Sequence, residues 1–245
     1  MHKLLTLGVA AALLAACSSS KQTTMNQQGS HAAQSGADWQ PLFDGKEIKG
    51  WHTYGGTGVG KAWRVDNGAI HFDPAAKKSL GDKEGGDLVS NEAYENFHLS
   101  LDWKIAPNAN SGVIFLVQDD PGKYNATYLT GPEMQVVDNQ GHPDGKIYKH
   151  KAGDLYDLVA SSKEAQKPVG EWNHAEIVLN KGKLQLSLNG VQTVSTTMWD
   201  DNWNTLIAGS KFKDWQAFAK NRSGHIALQD HGDAVWFKDI KIKRL

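Results

Sequence analysis

The sequence predicts an all-β fold: two antiparallel sheets packed face to face as a jelly-roll sandwich, with one short helical insert. Three observations predict it. Short runs of alternating apolar and polar residues recur along the chain, Asn-Gly pairs punctuate them, and a single stretch has helical spacing. From Trp63 to Phe72 apolar residues alternate about Asn67-Gly68, a pair that accepts the positive φ angles of a type I′ turn, so a hairpin is expected. Phe97, Leu99, Leu101, Trp103 and Ile105 alternate with His98, Ser100, Asp102 and Lys104, the pattern of a half-buried strand. Gly112 to Val117 is apolar throughout, which fits a central strand. Ala175 to Leu179, Leu184 to Leu188 and Val191 to Ser195 read as a meander, and Ile226 to Gln229 and Val235 to Ile242 close the chain. Only Lys211 to Lys220 has helical spacing, with Phe212, Trp215 and Ala219 on one side.

Residues 1–17 have the form of a secretory leader. Lys3 precedes the apolar run Leu4 to Leu13, too short to span a bilayer, and Leu14-Ala15-Ala16 leads into Cys17, the only cysteine. That ending resembles a bacterial lipobox, which implies a lipidated Cys17 and a membrane anchor in the cell envelope. By resemblance to known sorting rules, Ser18 and Ser19 behind it imply the outer membrane over the inner one, and a periplasmic orientation is expected there. With one cysteine no internal disulfide forms, so burial must hold the fold. Residues 18–37 are rich in Ser, Gln, Gly and Ala and read as a flexible tether, which leaves 38–245 as one folded domain. A net charge of −1 leaves no basic field for nucleic acid. Nine tryptophans serve either a core or the stacking of sugar rings; Trp51, Trp199, Trp203 and Trp215 are candidate platforms, Trp215 foremost.

Two polar clusters interrupt this scaffold, one between Pro132 and Asp157, the other at Gln229-Asp230-His231. Glu133 and Gln135 lie two apart on an expected strand and therefore share a face. Glu133 is the first candidate to move a proton, with Gln135 beside it to bind a hydroxyl. His231 is the second, since imidazole exchanges protons near neutral pH, and His142 is another carrier. Asp138, Asn139, Lys151, Tyr156, Asp157, Lys211, Trp215, Gln229 and Asp230 are candidate substrate-binding groups. Asp138, Asn139, His142 and Asp144 gather metal-type ligands in one loop. Their spacing matches neither a calcium loop nor a zinc signature, so no metal is assigned, and a divalent metal stays as the lesser alternative. No Gly-rich dinucleotide turn follows a strand, so no redox cofactor is expected either.

Landmarks along 40–245 resemble, in order, the 3-keto-disaccharide hydrolase family. They are Leu42-Phe-Asp-Gly45 with Gly50-Trp51, Asn110-Ser-Gly112, Pro132 to Asn139, Ala152-Gly153 with Leu155-Tyr-Asp157, and Gly170-Glu-Trp-Asn173. Asn189-Gly190 and Leu228 to Gly232 with Val235-Trp-Phe237 complete the set. Leu116 lies where many members carry Arg, and His150 stands where relatives often carry Arg. The resemblance implies a concanavalin A-like jelly roll in secreted or lipid-anchored proteins of bacteria that degrade glycans and glycosides. It also implies cleavage of glycosides whose C3 hydroxyl has been oxidised to a ketone by a separate oxidoreductase.

A C3 ketone acidifies the C2 proton, and the resulting enolate expels the oxygen on C1. Such an elimination needs a base at C2, a donor at the C3 oxyanion and an acid at the leaving oxygen. Water adding to the enone then makes the net reaction a hydrolysis. Laminarinase-like jelly rolls instead carry Glu-x-Asp-x-Glu on one strand, where this chain has Glu133-x-Gln135-x-Val137. The missing carboxylate disfavours direct hydrolysis through two flanking acids. A carbohydrate-binding module, an ordinary glycoside hydrolase and a structural envelope protein are the alternatives.

Overall fold

Period-two alternation gives each sheet one apolar face, and burying both faces against each other builds the sandwich. The computed structural model describes residues 38–245; the expected leader, Cys17 and the tether lie outside the described residues. In chain order the elements are β1 (Gln40–Pro41), β2 (Trp51–Thr53), β3 (Trp63–Asp66), β4 (Ala69–Phe72), α1 (Pro74–Leu80), β5 (Leu88–Tyr94), β6 (Phe97–Ile105) and β7 (Asn110–Val117). They continue as β8 (Glu133–Val137), β9 (Asn173–Asn180), β10 (Lys183–Leu188), β11 (Val191–Thr197), α2 (Asp201–Ala208), β12 (Gly224–Leu228) and β13 (Val235–Arg244). One eight-stranded sheet runs β11-β10-β9-β6-β13-β4-β3, with β1 pairing on β13; the five-stranded sheet runs β2-β5-β12-β7-β8.

Trp103, Phe72, Phe97, Phe115 and Phe237 are fully enclosed between the sheets. Burying each such ring contributes about 1.5–3 kcal/mol, which suits a domain with no disulfide to rely on. The hairpin forms as expected: Asn67 and Gly68 have φ of 49° and 79°, and Trp63 pairs with Phe72. All eight residues of β7 are buried. Val113 and Phe115 join the main core, whereas Ile114 and Val117 join Val89 and Ala227 in a second apolar patch on the opposite face. The apolar run therefore marks a strand covered on both sides. On that second face the covering is made by loops, and the cavity described below lies there.

The helical expectation is corrected. Residues 211–220 form successive turns, with Trp215 N–H bonding to Phe212 O at 2.9 Å and Phe218 N–H to Trp215 O at 3.2 Å. Bonds of i→i+3 type bring Phe212, Trp215 and Phe218 to one side without an α-helix. Ala219 then adopts φ 52°, which ends the run. The helix lies one segment earlier, at α2, where the Asp200 carboxylate accepts the Trp203 N–H at 2.8 Å. A second helix, α1, is capped by Asp73 and has Pro74 at its first turn.

At β12 the register shifts between His225 and Ala227 against both neighbours, and Leu116 opposite takes φ 59°. Gly224 fits there because a Cβ would stand 2.3 Å from the Leu116 carbonyl carbon. Gly224→Ala is expected to destabilise the domain by about 2–3 kcal/mol in denaturant unfolding, since backbone must move to admit the methyl. An unchanged midpoint would show that the β7–β12 approach is looser than described.

Candidate active site

Pairing between β7 and β8 sets the floor. Gln135 lies opposite Gly112 and Glu133 opposite Ile114, so both polar side chains leave the sheet on the face away from the core. Glu133 then leans over Gly112: a Cβ on that glycine would stand 2.1 Å from Glu133 Oε1. The absent side chain is what gives the carboxyl its place. The outer edge of β8 is closed by residues 153–156, where Gly153 N–H and Tyr156 N–H bond to the carbonyls of Gln135 and Glu133, each at 3.0 Å. That pairing fixes Tyr156 beside Glu133.

Above this floor is a cavity of about 360 Å³, within the size range of small-molecule sites. Its polar side holds Asn110, Glu133, Gln135, Lys211, Gln229 and His231. Its other side is aromatic. Tyr128 and Trp215 lie 5.9 Å apart by ring centroid, and Phe212 stacks on Phe218 at 3.8 Å behind them.

Glu133 is 9% exposed, and its carboxyl has no hydrogen-bond partner among the described residues. Burial pushes this carboxyl up to about 8; the Lys211 charge opposes the shift, and Asp87 and Asp144 add to it. Burial in turn pulls Lys211 below the ordinary lysine value, against the attraction of Glu133, Asp157 and Asp144. The Lys211 ammonium rests 4.0 Å from the Tyr156 ring centroid. Gln135 Nε2 and Asn110 Oδ1 are both buried without a partner. With the amides oriented this way, one donor and one acceptor stand ready for a ligand.

A ring of groups behind the floor holds these in place. Asp144 accepts from Tyr156 Oη at 3.3 Å and from Asn110 Nδ2 at 3.4 Å. Burial, followed by the Asp144 and Glu133 charges, raises the Tyr156 phenol well above its usual range, so it stays a donor. His150 lies 4.2 Å from the Tyr156 ring and reaches Asp157 at 3.3 Å and Asp144 at 3.5 Å. Asp157 also accepts the Lys211 N–H at 2.6 Å, which starts the aromatic turns at the right place.

Of the sequence candidates, the fold brings Glu133, Gln135, Tyr156, Lys211, Trp215, Gln229 and His231 to the cavity wall. His142 stands just outside, its ring 6.2 Å from that of His231, with Nδ1 accepting the Asp144 N–H at 3.1 Å. Five substrate-binding candidates lie off the cavity wall, Asp157 among them, whose carboxylate takes the Lys211 N–H at 2.6 Å and lies 3.3 Å from His150. The Asp230 carboxylate is fully enclosed and bonded to Lys77 Nζ at 2.7 Å. Asp138 accepts the backbone N–H groups of Asn108 and Gln140 at 2.8 and 2.9 Å, and Asn139 that of Ala152 at 2.8 Å. Lys151 pairs with Glu164. These five shape loops instead of lining the cavity. Trp51 and Trp203 are core, and Trp199 packs under Arg222. Among the described residues no group of three or more His, Cys, Asp or Glu is arranged to hold a metal.

Asn110, Tyr128, Phe212 and Phe218 are wall residues that the sequence reading did not select. Asn110 was within reach, because it sits two before Gly112 and so shares a face with Gln135 across the ladder. Tyr128 lies in a loop with no periodic signal.

Residues 38–243 match the model of the 3-keto-alpha-glucoside-1,2-lyase-like domain. A 3-keto-disaccharide hydrolase of Bacteroides thetaiotaomicron is 35% identical over 224 residues, 83% of this chain and 77% of the relative. A crystal structure from Parabacteroides distasonis that carries a provisional glycosyl hydrolase name aligns with a TM-score of 0.74 at 31% identity, over 84% of this chain and 94% of that one. A Bacillus subtilis protein with a galectin-like fold aligns at TM-score 0.52 and 12% identity, over 84% and 94% of the two chains, a likeness of fold alone. The all-β jelly-roll class expected from the sequence holds.

The raised Glu133 value makes stability depend on pH. Unfolded, this acid loses its proton near 4.5, whereas the folded protein keeps it to about 8, so stability falls as pH rises through that window. Glu133→Gln, neutral and of equal size, is expected to match the wild type at pH 4. At pH 9 it should exceed it by on the order of 5 kcal/mol in urea unfolding. An equal difference at both pH values would mean that Glu133 is not desolvated.

Proposed function

The chain belongs to the 3-keto-alpha-glucoside-1,2-lyase-like family, and on that premise we propose that it cleaves 3-keto-glycosides, 3-keto-disaccharides among them, at the anomeric bond. The observation that carries the reading is a single cavity in which a desolvated carboxyl, a free amide donor and an ammonium converge. Glu133 takes the C2 proton. A carboxylate with no hydrogen bond to weaken it is a stronger base than a solvated one, and a value near 8 keeps some of it ionised at neutral pH. The C2–H electrons form an enolate, whose oxygen at C3 meets the Gln135 amide and the Lys211 charge. Its collapse restores the ketone, makes a C1–C2 double bond and releases the C1 oxygen. His231 at the exposed rim protonates that oxygen as it leaves, with His142 beside it to relay the proton. Water adding to the enone, hydroxyl at C1 and proton at C2, completes net hydrolysis.

Tyr128 and Trp215 supply an apolar face on the other side of the cavity for the group attached to C1. In this reading no redox cofactor or metal resides in the chain, and a separate oxidoreductase makes the ketone. Cys17 carries a lipid that holds the enzyme at the outer membrane, facing the periplasm.

Purified protein mixed with a 3-keto-glucoside in D₂O is expected to release the C1 substituent and to place deuterium at C2. Release without any deuterium at C2 removes the elimination. The profile of kcat/KM should climb with pH and level off near 8; a fall above that pH would instead make Glu133 the acid. Glu133→Gln should lower kcat by roughly 10²–10⁴-fold. Trp215→Ala should act mainly through KM, and a Trp215→Ala variant with unaltered KM would take the aromatic wall out of substrate binding.

A further inference from the structure

One carboxylate outside the cavity holds two of its walls. Asp87, immediately before β5, accepts the Thr127 hydroxyl on one oxygen and the Asp230 N–H at 2.9 Å on the other. Its own carbonyl accepts the Tyr54 N–H at 2.8 Å, which fixes the backbone behind it. Thr127 directly precedes Tyr128, and Asp230 directly precedes His231, both wall residues.

Each attachment runs on into the wall. The carbonyl of the fully buried Thr127 takes the N–H groups of Thr130 and Gly131, both at 3.1 Å. The Thr130 carbonyl takes the Ala219 N–H at 2.8 Å, which ties down the end of the Trp215 turns. On the other side the Asp230 carboxylate accepts Lys77 Nζ and Gly86 N–H at 2.7 Å, and Gly232 N–H at 2.9 Å. Gly85 leaves room for that cluster, since a Cβ would stand 2.7 Å from Asp230 Oδ2. The residues flanking His231 in sequence are thereby locked, although the imidazole itself makes no bond among the described residues.

Such a carboxylate is costly to bury unless its lone pairs are used, and here both oxygens have donors. Burial pushes its value up to about 6, with the Asp230 charge adding and the Thr127 and Asp230 hydrogen bonds and the Lys77 charge opposing. At neutral pH it is ionised, and charge-assisted bonds are about twice as strong as neutral ones. Apart from its charge, which helps to raise Glu133, Asp87 takes no part in the reaction as proposed.

We propose that Asp87 is a positioning residue: by gripping Thr127 and Asp230 together it holds the His231 imidazole at a fixed distance from the Tyr128 wall. The role in turnover rests on reading His231 as the donor to the leaving oxygen. Asp87→Asn keeps the size and one acceptor but turns an amide toward the Thr127 hydroxyl.

The test compares wild type, Asp87→Asn, His231→Ala and the double variant. In Asp87→Asn, amide hydrogen exchange should quicken in both 127–131 and 229–233, and the ring resonance of His231 should move. With a 3-keto-glucoside, kcat should fall about tenfold with KM within twofold of wild type. In the His231→Ala background the same change should have no further effect, because the pair acts as one unit. Faster exchange in only one segment or neither, or a tenfold loss that persists without His231, overturns the proposal. If Asp87→Asn does not fold, the isosteric Thr127→Val removes one of the two bonds and is judged by the same exchange and double-variant criteria. A wild type that turns over no 3-keto-glycoside removes the proposed reaction, and exchange with the His231 resonance then decides by themselves whether Asp87 holds the walls.

Discussion

The Glu133 carboxyl sits over a glycine, largely buried at the cavity floor and without a hydrogen bond among the described residues, and its burial is the constraint on which the site depends. Removing such a group from solvent is unfavourable, and the protein meets the penalty by holding the acid neutral through most of the pH range. The stability lost in this way has to come from elsewhere. The two-sheet core, with its fully enclosed aromatic rings, is where it comes from. The unfavourable burial at the site and the reserve in the scaffold are thus parts of one arrangement.

The division of labour follows from the geometry of strands. A pleated ladder fixes side chains to within a fraction of an ångström, so the groups whose mutual placement matters most, Glu133, Gln135 and Asn110, stand on β7 and β8. Loops cover the same face and bring what a strand cannot, namely a cation, a rim histidine and a continuous aromatic wall. Each loop is pinned by carboxylates that accept backbone N–H groups: Asp157 for Lys211, Asp138 for Asn108 and Gln140, Asp87 for Asp230. Several acidic residues that look chemical in the sequence are this kind of fastener.

Where the chain could be read directly, the reason is local. The β6 alternation holds at every position except Ser100, which is buried, and the Asn67-Gly68 turn has the two positive φ angles it calls for. Glu133 and Gln135 share the cavity because period two leaves them no other choice once β8 forms. The segment around Phe212, Trp215 and Phe218 was misread because turns and helices present nearly the same apolar spacing over so few residues. Asp230 was misread for another reason: its partner, Lys77, is 153 residues away and nothing local announces it.

By itself the sequence determined the all-β class, the strand-borne acid and amide, and the polar character of both clusters, since these depend on alternation and on side-chain chemistry. Tertiary structure alone decided which carboxylate is desolvated and which is neutralised by a lysine or by backbone N–H groups. It also joined Tyr128 and Trp215 into one wall. Burial and charge pairing are sums over neighbours from distant parts of the chain, and those neighbours exist only once the sheets have closed.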